Sequence, residues 1–299
     1  MSSHPNRASY SVYTHDPPLS AAIVFTVLFA CQLIAIIFRC FYVYGPPQRK
    51  AIARKWLLIA LPAVVEAVGY GLRIASVKNP TNVGLFISAT VIILIAPQIS
   101  AIVAYIVLVA LVVDLEAKDL CPVRPEHIAP IWLSLDLIAG GLQGGGGGQQ
   151  TNPNSVLSGL ILALVGMIMQ AAAFFVFSVI GVITLRRLYT TSQWVERKRS
   201  MNSIAIALLI SIIAHNIRFV YRVVEFGWQI SAFQPGPYSY APQIPPVYEY
   251  VFDATMMFFA IAAYPTFFYF GELNMPRVQG PEYWLIPKRK RTTLKKIRN

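Results

Sequence analysis

The chain has 299 residues, of which 56% are hydrophobic and only 13% charged, with a mean hydropathy of +0.56. A soluble globular domain carries about 25% charged residues, so this balance excludes an ordinary soluble domain and points to an integral membrane protein. The formal net charge of +12 does not indicate nucleic acid as a partner, because the basic residues lie in short loops and a tail rather than on a soluble domain.

Residues 1–18 are polar and lack the basic, then apolar, then small pattern of a cleaved signal peptide, so the first helix is expected to act as an uncleaved anchor. No Asn-x-Ser/Thr sequon is present, since Asn79 is followed by Pro80. A helix that crosses a bilayer needs roughly 20 apolar residues. The predicted spans are Leu19–Phe41, Trp56–Ala75, Val83–Val113, Ile128–Gln143, Val156–Leu185, Met201–Phe226 and Val247–Phe270. The third is long enough to tilt or to project from the bilayer. The fourth is the shortest and runs into the glycine stretch Gly144–Gly148, read here as an outer loop. Pro97 should kink the third span and Pro265 the end of the seventh.

Basic residues set the expected orientation. Nineteen lysines and arginines fall in the loops after spans one, three and five and in the tail, whereas the opposite side holds only Arg7 and Lys78. The bias places the N-terminus outside and the C-terminus in the cytosol. The expected fold is therefore all-α: a seven-transmembrane-helix bundle over 19–270, an external segment 1–18 and a basic cytosolic tail 271–299. The tail, with Lys288 to Arg291 and then Lys295 and Lys296, suits anionic inner-leaflet lipids. The proline-rich, aromatic stretch Gly236–Pro246 could cover the outer mouth or serve as an extended linker. Cys31, Cys40 and Cys121 form no metal-type or disulfide spacing and read as free thiols.

Ionisable residues within these spans carry the functional signal, because charge in hydrocarbon is costly and normally faces a bundle interior or a wet cavity. In span six, Arg218, Tyr221, Arg222 and Glu225 stand at i, i+3, i+4 and i+7 and share one helical face. Span two repeats the spacing with Glu66, Gly69, Tyr70 and Arg73. Span four offers Asp136, Gly140 and Gln143, span five Gly159 to Gln170, and span seven Tyr250 and Asp253 with Glu249 four residues earlier. The expected substrate-binding set is Glu66, Tyr70, Arg73, Tyr105, Asp136, Gln143, Gln170, Arg218, Tyr221, Arg222, Glu225, Tyr250 and Asp253. Three intramembrane arginines face five acids, counting Glu249, so two acids are formally in surplus. On one reading the charges are staples that fix helix register, with glycines allowing close packing. On the other they line a chamber open to the outer half, and the surplus acid receives a cationic head group or a proton.

In their order and helical placement, these residues resemble the RTA-like family of fungal lipid-translocating exporters. The resemblance rests on Glu66-x-x-Gly-Tyr-x-x-Arg73, on Ala96-Pro97 followed by Tyr105, and on Asp136 followed by Gln143 and the glycine run. Gly159 to Gln170, Arg218-x-x-Tyr-Arg-x-x-Glu225 and Tyr250-x-x-Asp253 complete it. Where the family has a basic residue after the span-three tyrosine, this chain has Val109-Ala110-Leu111, and Tyr264-Pro265 stands where His-Pro is usual. Glu249 lies closer to Tyr250 than the family's acid does, and stands outside the expected set. The resemblance implies a protein that moves or responds to amphiphilic lipids such as sphingoid long-chain bases or aminosterols, in the plasma membrane, with membrane lipids as its partners.

No G-x-x-x-x-G-K-[ST] loop is present, so ATP is not expected to drive movement directly. The second reading is a seven-helix sensor of lipid or pH. A zinc hydrolase needs several intramembrane ligands, but of His4, His15, His127 and His215 only the last lies in a span. No enzymatic activity, metal or cofactor is expected.

Overall fold

The computed structural model describes residues 18–42, 56–150, 152–233, 244–268 and 273. The stretch 236–243 of the expected outer cover, the tail from 274 onward and the basic loop after span one lie outside these residues, as does most of the N-terminal segment. The described chain is all-helical: α1 Leu19–Phe41, α2 Trp56–Lys78 with a 3-10 first turn, α3 Val83–Asp114, α4 Pro125–Gln149, α5 Val156–Leu188, α6 Lys198–Ser231 and α7 Pro246–Phe267. A short helix, Ser192–Glu196, joins α5 to α6.

Six of these helices, all but α4, are long and apolar enough to cross a membrane. α3 has 32 residues and so spans about 48 Å, longer than a hydrocarbon core of about 30 Å. It is apolar on all sides and is the most buried, 67% against 22% for α1, which places α3 at the centre of the bundle and α1 at its edge. Local chemistry sets several starts. The Asn82 side chain accepts from the Leu85 N–H at the head of α3, and Pro125 with Glu126 opens α4.

α4 corrects the sequence reading of the glycine run. The helix continues through Gly144–Gly148 to Gln149, 25 residues in all, rather than ending at Gln143. Packing overrides the poor helix propensity of glycine here. A Cβ on Gly146 would lie 2.5 Å from the Gly159 carbonyl oxygen, and one on Gly159 would lie 2.6 Å from the Gly146 carbonyl oxygen. Only glycine lets α4 and α5 approach backbone to backbone. Trp132 adds a hydrogen bond from its indole Nε1 to the Ala173 carbonyl at 2.8 Å.

Pro97 stands inside α3, as expected, and has no N–H for the Ile93 carbonyl one turn earlier. The Arg218 guanidinium supplies the missing donor, Nη2 to Ile93 O at 2.9 Å. α6 thus caps a freed carbonyl within the continuous central helix with a charged side chain.

Candidate functional site: a buried ion-pair network with two acids left over

Arg218, Arg222 and Glu225 lie on the inward face of α6 and are buried, as their spacing predicts. Tyr221 rotates to the edge, half-buried, where its ring stacks on Phe252 at 5.9 Å. α7 meets this face with a feature the sequence gives no sign of: residues Tyr250–Ala254 form a π-turn, and the Thr255 hydroxyl bonds back to the Tyr250 carbonyl at 2.8 Å. Such turns recur at functional sites. Here the π-turn presents Asp253, fully buried, to both Arg218 and Arg222.

The network then extends in two directions. Arg222 Nη1 donates to Glu225 Oε2 at 2.7 Å, and Arg73 Nη2 from α2 donates to Glu249 Oε2 at 2.5 Å. Glu249 also lies 3.7 Å from Arg222. Glu249 is therefore a member that the family pattern set aside, although its position one turn before Asp253 was a usable signal. Three arginines and three acids are paired, and the six formal charges cancel.

The surplus anticipated from the sequence count falls on Glu66 and Asp136. Glu66 on α2 is 1% exposed, and neither of its carboxyl oxygens has a hydrogen-bond partner among the described residues. It lies within electrostatic reach of Arg218, Asp253 and Arg222. Asp136 is brought to a separate place, against the Tyr105 hydroxyl at the rings of Phe174 and Phe177, and it takes no part in the six-membered network. Tyr70 and Tyr250 stack with Phe25 and Phe29 of α1 beside the network.

Gln143 and Gln170 meet each other, Nε2 to Oε1 at 2.8 Å, and Gln98 approaches Gln143 at 3.5 Å. With Pro97, Met167, Arg218 and Arg222, Gln143 and Gln170 border a cavity of about 10 Å³, room for roughly one water centre. Gln170 Nε2 and Arg222 Nε, both buried, have no hydrogen-bond partner among the described residues.

These observations correct the expectation of a chamber open to the outer half. The arginines and their acids are sealed in mutual pairs, and the cavity beside them has room for no more than a water. The register-fixing reading therefore accounts for six of the eight charges. It does not account for Glu66 or Asp136, which fix nothing by pairing.

The family description "RTA1 like protein" matches residues 59–273, more than two thirds of the chain. The chain belongs to the RTA1-like family. It is 26% identical over 270 residues to Protein RTA1 of Saccharomyces cerevisiae, covering 84% of this chain and 83% of that one. It is 25% identical over 298 residues to Protoporphyrin uptake protein 1 of the same yeast, covering 89% and 94%. A protein of Leptosphaeria maculans named lipid-translocating exporter-like protein RTA1 is 26% identical, over 83% of this chain and 49% of that one. No solved structure matches the chain significantly. Membership and the six apolar helices together make this RTA1-like chain a multi-pass membrane protein.

Proposed function

We propose that this RTA1-like protein is a lipid-translocating exporter that moves amphiphiles such as sphingoid long-chain bases or aminosterols, and is not an enzyme. In this reading α4 is a seventh crossing, the N-terminus is outside, the basic tail is cytosolic and meets anionic lipids, and the membrane is the plasma membrane. The relative named as lipid-translocating exporter-like supports the class. The observation that carries the mechanism is Glu66, a carboxyl with no donor for either oxygen among the described residues, next to a network that is already neutral. A buried acid without a partner is costly unless another group meets it during the working cycle. Glu66 is positioned to receive a cationic head group or a proton, and Asp136, held at the Tyr105 hydroxyl, is a second acid outside the ion pairs. The sealed network is then the occluded state of an alternating-access cycle.

The same sealed network also favours the second reading, a sensor, since a receptor needs two states but no path. Purified protein in lipid vesicles separates them. With a fluorescent long-chain amine in one leaflet, an exporter moves it to the other without further proteins, and Glu66→Gln slows the movement at least tenfold at equal protein content. If the parent protein moves no amphiphile, the exporter reading falls and the sensor reading stands.

A further inference from the structure

Each wall around Glu66 is held differently. Arg73 with Glu249 ties α2 to α7, Asp253 with Arg218 and Arg222 ties α7 to α6, and Arg218 at the Ile93 carbonyl ties α6 to α3. The remaining wall is α1. It contains no acid, and its single arginine, Arg39, lies at the opposite end from Phe25. α1 is also the least buried of the six apolar helices, packs chiefly on α2 and only lightly on α7, and precedes the stretch matched by the family.

What α1 places before the network is aromatic. Phe25, half-buried, stacks on Tyr70 at 5.7 Å and on Tyr250 at 5.6 Å, and so bridges α2 and α7 at the seam. Glu66 lies one turn before Tyr70 on α2, and Glu249 and Asp253 flank Tyr250 on α7, all within electrostatic reach of the Tyr70 hydroxyl. Farther along the seam, a hydrogen bond crosses from Gln32 Nε2 to the Phe258 carbonyl at 2.8 Å, and Gln32 Oε1 is without a partner among the described residues. Ring stacking and one neutral hydrogen bond part far more cheaply than buried ion pairs. Phe25 is the seventh residue of α1 and Tyr250 the fifth of α7, and the two helices run the same way, so the opening would lie at a single depth.

We propose that the α1–α7 seam is a lateral portal: an amphiphile enters from the bilayer between these helices, and the Phe25 ring is the door between the lipid tails and the Glu66 carboxyl. The proposal rests on the exporter reading for the use of Glu66 but makes its own demand, that the route be sideways and through this seam.

The test uses the full chain in vesicles with a long-chain primary amine carrying a diazirine. Peptides are mapped after photolysis. The native Cys31, Cys40 and Cys121 are replaced by serine, and Gln32→Cys with Phe258→Cys is joined by a short bifunctional thiol reagent that a reductant cleaves. In the unlinked protein the amine labels α2 around Glu66 and Tyr70. Linking α1 to α7 lowers that labelling at least fivefold, reductant restores it, and Phe25→Ala raises it at least threefold. Restoration by reductant shows that the linked protein was folded. Labelling of α2 that is unchanged by the link overturns the portal and leaves the Glu66 site standing. No labelling of α2 in either state overturns both.

Discussion

Asp253→Asn and Glu66→Gln make the same chemical change at two carboxyls in one bundle, and the structure assigns them opposite costs. Asp253 is fully buried and paired with Arg218 and Arg222, themselves 1% and 4% exposed. Its amide variant leaves three arginines facing two acids, an uncompensated buried charge that costs about 3–5 kcal/mol. At about 2 °C per kcal/mol for a chain this long, the melting temperature in detergent falls by roughly 6–10 °C. Among the described residues Glu66 has no hydrogen-bonded partner to lose, and its amide variant changes stability by less than about 1 kcal/mol. Adding Arg218→Gln to Asp253→Asn restores parity and keeps a donor for the Ile93 carbonyl, so the double variant recovers about 1–3 kcal/mol. Cys40 and Cys121 are buried and serve as reporters for a thiol-reactive dye during heating, with exposed Cys31 replaced by serine. The reasoning is refuted if Asp253→Asn melts within 2 °C of the parent, or if the double variant melts below the single one.

Three further outcomes follow from the packing. Gly159→Ala sets a methyl against the Gly146 carbonyl and lowers stability by about 1–3 kcal/mol, whereas Gly141→Ala, with open space at its Cβ, is neutral or stabilising by up to about 1 kcal/mol. Equal melting shifts for the two would deny the close approach of α4 and α5. Pro97→Ala gives α3 a backbone N–H that competes for the Ile93 carbonyl, so Arg218→Leu, which removes the donor altogether, costs about 1–2 kcal/mol less in that background than in the parent, read from a double-mutant cycle. Trp132→Phe removes the hydrogen bond to Ala173 and lowers stability by about 1 kcal/mol, seen as a small fall in the same melting assay.

Much of this site was legible because helical spacing is rigid. Arg218, Arg222 and Glu225 could only share a face, and a stripe of charge in an apolar helix could only turn inward. The proline at position 97 announced a freed carbonyl, but not that an arginine from another helix would take it, since that pairing depends on how α6 packs against α3. Glu249 was read too narrowly, because likeness to a family pattern outweighed its helical register with Asp253. The π-turn has no compositional mark, and it is what aims Asp253 at two guanidinium groups at once. The glycine run misled for a different reason: glycine's low propensity is a local property, and the close contact with α5 that holds it helical is not local. The open chamber was inferred from a charge count, which cannot tell six charges that satisfy one another from eight that await a ligand.

That distinction moves attention away from the residues that look most conspicuous in the sequence. A neutral set of three arginines and three acids can stay buried indefinitely, because every member gains an opposite charge for the water it gives up. Its stability makes it a poor acceptor, since a cation arriving at Asp253 would have to displace a guanidinium already in contact. Glu66 presents no such obstacle. It sits beside the neutral set, inside the reach of Arg218 and Arg222, with two oxygens unengaged among the described residues. In the exporter reading proposed above, the arginine stripe is the frame that keeps the bundle closed, and the chemistry of a passing head group or proton falls to the acid that the frame leaves outside its ion pairs.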